Sequence, residues 1–162
     1  MERIKLAVAE LRSDMVKWRR HLHRHPELSF QEHNTIAFVL ERLKEEGIEV
    51  RSGVGKLTAD SPGTGAIALV KGTKNASDKC MAIRADLDAL PIMEIGKETY
   101  CSTNPGVMHA CGHDAHTTTV LGAGIALHRM REHWSGTVML VFQPGEEKEP
   151  GGASLLVKEG VF

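Results

Sequence analysis

The sequence predicts an α/β fold, a mixed and mainly parallel sheet with helices on both faces. Helix-period and strand-like segments alternate along the chain. Three of the strand-like segments, AIALVKG, CMAIRADLDALPI and TVMLVFQP, are nearly continuous apolar runs bounded by turn residues. Strands read that way when both faces of their sheet are covered. No repeat, low-complexity tract or linker divides the 162 residues, a length suited to one domain.

The elements follow in order. Ile4, Leu6, Val8, Leu11, Met15, Trp18 and Leu22 recur at helical spacing, and Pro26 closes that first helix. A second helix is predicted from Asn34 to Glu46, with Ile36, Val39, Leu40 and Leu43 inward and Gly47 as its stop. Ile48 to Val50 reads as a short strand, and GVGKLTADSPGTG as a loop. The three apolar strands come next, with a helix from His116 to Arg131 between the last two and another from Gly151 to Glu159 at the end. In such sheets the chemistry collects beyond the carboxyl ends of the strands. That rule gathers Asp86 and Asp88, the pair Glu146-Glu147 after the strand TVMLVF, and the stretch MHACGHDAH (108–116), a turn before its helix.

Composition removes several function classes. With 20 basic and 21 acidic residues the net charge is −1, so no nucleic-acid or membrane footprint appears. No apolar run approaches the roughly 20 residues that span a bilayer, and the amphipathic start lacks the apolar core of a signal peptide. Cys80, Cys101 and Cys111 are odd in number and sparse, which suits a reducing compartment and predicts a cytoplasmic protein.

The chemistry-bearing residues admit three readings. Cys111-Gly112-His113 can bind one metal or two adjacent ones where Gly112 lets the backbone bend. An isolated Cys-x-His is more often a structural cysteine beside surface histidines. A cysteine nucleophile with a histidine base needs an orienting group and an oxyanion hole, which adjacency does not supply. Glu146-Glu147 decides for the metal. A solvated pair has no reason to follow a buried strand and a Pro-Gly turn, whereas metal-assisted hydrolysis uses one carboxylate to hold the cation and another to move a proton. His109 and His116 flank the site, where orienting a ligand or substrate competes with plain packing. His21, His23 and His25 show no ligand chemistry, and histidines near a helix C-terminus are favoured by the dipole anyway.

The ordered motifs HLHRHPELSFQE, RADLDALPI, MHACGHDAH and FQPGEE, followed by GGA, closely resemble the hippurate hydrolase family. That family of N-acyl-amino-acid amidohydrolases also takes in hydrolases of auxin–amino-acid conjugates and N-acetyldiaminopimelate deacetylases, within a clan of dinuclear metallo-exopeptidases. The resemblance implies a three-layer α/β/α zinc-exopeptidase-like catalytic domain, and hydrolysis of the amide between an acyl group and an amino acid. It implies that Cys111 lies between two divalent metal ions, that His113 and Glu147 are further metal ligands, and that Glu146 is the general base. The wider clan carries His-x-Asp where this chain has Asp86 and Asp88, so an outer, hydrogen-bonding role fits these two better than ligation. A thiolate ligand favours zinc, whereas members of the family often use manganese.

On the same resemblance, residues 1–162 are expected to form the N-terminal part of the catalytic domain. The lid or dimerisation domain, through which a longer form would pair as a homodimer, is expected to be absent, as are the C-terminal half and its histidine ligands. The chain alone is then expected to be inactive. The alternative is a non-catalytic metal-binding or interaction module.

Overall fold

The computed structural model describes residues 2–162. Helices α1 (Glu2–Arg24) and α2 (His33–Glu45) lead into strands β1 (Val50–Val54), β2 (Gly65–Thr73) and β3 (Cys80–Asp86). Helix α3 (His113–Arg129), a 3-10 turn (Arg131–His133), strand β4 (Ser135–Gln143) and helix α4 (Gly152–Lys158) follow. The strands form one sheet in the order β1-β2-β4-β3.

The sheet is mixed, but only the β3–β4 pairing is parallel, while β1–β2 and β2–β4 run antiparallel. A parallel pair needs a crossover connection, and α3 supplies one between β3 and β4. The expected predominance of parallel pairing therefore does not hold within these four strands. Apolar content reports that a strand is covered; it carries no information on the direction of its neighbour.

Side chains alternate across the sheet as the pleat requires. Ala66, Ala68 and Val70 of β2 and Val138, Leu140 and Phe142 of β4 face the main core, where Val39 and Leu43 of α2 and Val120, Leu121 and Ile125 of α3 pack on them. The opposite alternates, Ile67 and Val141, meet Leu156 of α4 and Val54 of β1. Helices thus lie on both faces, giving three layers. The outer layer is thin: Leu69 is 49% exposed and Met81 on the edge strand β3 is 66% exposed.

Four features differ from the sequence reading. Strand β1 starts at Val50 and runs to Val54, into the expected loop, because the Ile48 N–H still closes the end of α2 on the Leu43 carbonyl while Val54 pairs with Gly65. The apolar run of α1 does not all turn inward: Ile4, Leu6 and Val8 are 56%, 58% and 46% exposed. The stripe of α1 that packs on the core runs through Ala7, Leu11, Met15 and Trp18, and Ile4, Leu6 and Val8 fall outside it. Strand β3 stops at Asp86, opposite Gln143, because Pro144 follows on β4 and has no N–H to continue the ladder. Leu87 and Asp88 stay buried beyond the ladder, and Ala89 makes only an isolated parallel bridge to Leu28, its N–H donating to the Glu27 carbonyl. Helix α3 begins at His113 rather than His116, since Gly112, at φ +87°, turns the chain straight into it.

Candidate metal centre

The parallel pair β3–β4 ends with Asp86 beside Gln143, so the segments leaving both strands emerge at one end of the sheet. As the crossover between them, α3 starts at that same end. This topology brings Asp86 and Asp88, the α3 N-terminus and the turn Pro144–Glu147 together.

Asp88 organises the group. Its buried carboxylate accepts the backbone N–H groups of Glu146 (3.0 Å) and Glu147 (2.9 Å) and the Ser29 hydroxyl (2.6 Å). Burial alone would raise its pKa, but these bonds and the one to His113 outweigh it and hold the carboxyl well below the usual range. Asp88 is therefore a fixed anion that locks the glutamate turn.

His113 is 2% exposed, and its Nδ1 lies 2.8 Å from the Asp88 carbonyl oxygen. In the neutral ring, the form that ligates a metal, an N–H donated there leaves Nε2 as the free acceptor. Nε2 points into a cluster of anions: Asp86 Oδ1 at 3.7 Å, Glu147 Oε1 at 3.9 Å and Glu146 Oε2 at 4.0 Å. Burial works to lower the imidazole pKa, yet the bond to Asp88 and the charges of Asp86 and Asp88 prevail and carry it up to about 9. The Cys111 thiol is raised chiefly by its hydrogen bond to Glu147.

Donor atoms of Cys111, His113 and Glu147 lie within 4.8 Å of one another, and those of Asp86, His113 and His116 form a second such group that shares His113. Thiolate, imidazole and carboxylate together are a donor set for a divalent cation of borderline softness. Arg84 is paired to Asp86 (3.2 Å), but no cation of the chain pairs with Glu146 or Glu147 among the described residues, save His113 itself when protonated. The residues fit a metal.

The remaining expected residues take distinct places. Asp86 accepts from His116 Nδ1 (2.6 Å) and Arg84, and its backbone carbonyl accepts the Thr117 hydroxyl. His109 is buried and its pKa is lowered to about 4, chiefly by burial. Neither of its ring nitrogens has a partner among the described residues. The sequence reading gave no role to a second buried network. Asp114 binds Arg19 Nε (2.8 Å) and His23 Nδ1 (2.7 Å), and His23 Nε2 reaches Glu94 (3.1 Å). The available signal was the i, i+4 spacing of Arg19 and His23, which puts both on one face of α1.

The model of peptidase family M20/M25/M40 matches residues 82–162, half of the chain and all of this cluster. The chain belongs to this family. It is 44% identical to an N-acyl-L-amino acid amidohydrolase of Geobacillus stearothermophilus, over 99% of this chain and 41% of that protein. It is 40% identical to hippurate hydrolase of Campylobacter jejuni, over 96% of this chain and 37% of that protein. The crystal structure of the YXEP protein of Bacillus subtilis, described as a dinuclear metal binding peptidase from the M20 family, superposes with a TM-score of 0.83 at 40% identity, covering 94% of this chain and 40% of that one. The chain thus spans about two-fifths of the length of these M20 relatives.

Proposed function

We propose that this chain carries part of the metal-binding site of an amidohydrolase that cleaves the bond between an acyl group and an amino acid. The observation that carries the reading is the convergence of Cys111, His113 and Glu147 donors within 4.8 Å, with Glu146 reaching the same ring nitrogen. The amidohydrolase and hippurate hydrolase relatives supply the substrate class, and the dinuclear relative supplies the expectation of two ions.

Cys111, His113 and Glu147 would hold the metal, with zinc or manganese as the candidates. Bound divalent cations supply Lewis-acid polarisation of an amide carbonyl and make water a stronger acid. Asp86 and Asp88 act from outside the donor set, Asp88 through the His113 ring and the backbone of the glutamate turn, Asp86 through His116. Glu146, 40% exposed at the side chain and beside His113, is free to take a proton from an attacking water and return it to the leaving nitrogen.

Two measurements test the reading. Titration with cobalt(II) should give a thiolate-to-metal absorption band that is lost in Cys111→Ser; a wild-type chain that takes up no metal removes the centre. In catalytically active M20 enzyme carrying these residues, Glu146→Gln should lower kcat on N-benzoylglycine by about 10²–10⁴-fold while metal content is retained. Normal turnover would take Glu146 out of the chemistry.

A further inference from the structure

Among the described residues the segment His25–Glu32 makes no hydrogen bond to the donor atoms themselves, yet it is bonded to the turn that carries Glu147. Glu32 is fully buried; its Oε1 accepts the Gly145 N–H at 2.7 Å and its Oε2 accepts the Thr64 hydroxyl at 2.5 Å. Ser29 donates to Asp88 Oδ2, the oxygen that also accepts the Glu147 N–H. Phe30 sits in the left-handed region at φ +64°, which side chains rarely adopt, and its ring lies against Gly145 where a Cβ would overlap it. Gly145 itself has φ +55°. Three successive amides, of Gly145, Glu146 and Glu147, are therefore each tied to a buried carboxylate, and the motif supplies one of those carboxylates and steadies the other.

We propose that Glu32 and Ser29 are positioning residues that fix the Gly145–Glu147 turn so that both glutamates face His113. The proposal rests on the metal-centre reading for what the turn does, though its geometry does not. Removing Glu32 leaves a buried N–H and a buried hydroxyl without partners. The backbone then moves to satisfy them, and the two glutamates move with it. Changes to residues that orient ligands in this way typically cost 10–100-fold in metal affinity.

The test uses the 162-residue chain with nitrogen-15 labelling and two readouts on Glu32→Ala, Glu32→Gln and Ser29→Ala. In Glu32→Ala, amide exchange at Gly145, Glu146 and Glu147 should accelerate by about tenfold or more, with the β4 and α3 core amides unchanged. Cobalt affinity, read from the Cys111 thiolate band, should fall about 10–100-fold. Glu32→Gln keeps an acceptor for Gly145 and a donor for Thr64, so it should restore both readouts. Unaltered exchange at the three amides, acceleration spread evenly over the chain, or wild-type cobalt affinity in Glu32→Ala would each overturn the proposal. Should Glu32→Ala fail to fold, Ser29→Ala decides on the same two readouts, since it removes only one hydroxyl from Asp88. A wild-type chain with no cobalt band defeats the metal centre alone; the exchange arm still judges the positioning.

Discussion

Glu32 holds its place in the fold as a carboxyl group out of contact with water, and that fixes the sign of its pH dependence. Burial, its largest influence, raises the pKa above the ordinary 4.5, and the bonds from Thr64 and Gly145 offset this only in part. Because the folded chain binds this proton more tightly than the unfolded one, the group's contribution is complete below about pH 4.5 and is lost as pH rises through the folded pKa. Glu32→Gln has no charge to bury, so it should gain stability relative to wild type between about pH 5 and about pH 8, as read by urea unfolding at both. A difference independent of pH would show that Glu32 does not titrate within that range. The contrast with Cys111, His113, Glu146 and Glu147 shows what a sequence can carry at this scale. Those four belong to residue types that seldom cluster except for chemistry, so their grouping was legible. Glu32 and Asp114 were not, because a lone acidic residue normally reads as solvated. The partners that say otherwise lie far along the chain, Gly145 for Glu32 and Arg19 for Asp114.

Helix α3 lies close on the sheet and close to α1, and two of its glycines separate propensity from packing. In a helix interior alanine is favoured over glycine by about 1 kcal/mol. At Gly122 a new Cβ would come within 2.7 Å of the Met15 Cε and Sδ, the far end of a flexible side chain that can swing aside. At Gly124 it would overlap a methyl of Leu140, which is wholly buried and has nowhere to go. Overpacking of that kind costs typically 1–3 kcal/mol, enough to cancel the propensity gain and reverse it. Gly122→Ala should therefore match or exceed the wild-type Tm, and Gly124→Ala should lower it by a few degrees. Equal shifts in the same direction would mean that α3 does not sit on β4 as described. Element identity was well served by periodicity: all four helices and all four strands were expected in their observed order, though the ends of β1 and β3 were not. What periodicity cannot report is whether a partner covers an apolar face, as Ile4, Leu6 and Val8 show, or which way a neighbouring strand runs. The strand end at Asp86 was missed for a related reason. Burial continues through Leu87 to Ala89 after the ladder stops, and an apolar run records only the burial.

For the molecule as a whole, the donor count and the sheet edge lead to a joint expectation. Cys111, His113 and Glu147 are three donors within reach of one another, while the Asp86 carboxylate of the second group is already taken up by Arg84 and His116. A single catalytic ion is ordinarily held by about three protein ligands, so sharing these three between two ions leaves at least one ion weakly held. The chain spans about two-fifths of its M20 relatives, and elemental analysis of the purified 162-residue protein should give fewer than two tightly bound metals per chain. Amidase activity on N-acyl amino acids should accordingly be slight. The same chain presents β3 as an edge strand with Cys80 and Met81 exposed, and Leu69 half-uncovered on the thin outer layer. An edge with unpaired backbone groups beside apolar side chains is a template for association. Light scattering coupled to size exclusion should then show a concentration-dependent rise in mass, and Met81→Lys, which puts a charge on the edge, should suppress it. The two halves of the expectation are coupled through the sheet. If association brought donors from a second copy to the first, metal content would climb with mass, and Met81→Lys would lower both together. A monomer at every concentration, holding two metals tightly and turning over substrate at an ordinary rate, would defeat the donor argument outright, since Asp86 and His116, or residues outside the cluster, would then have to be ligands.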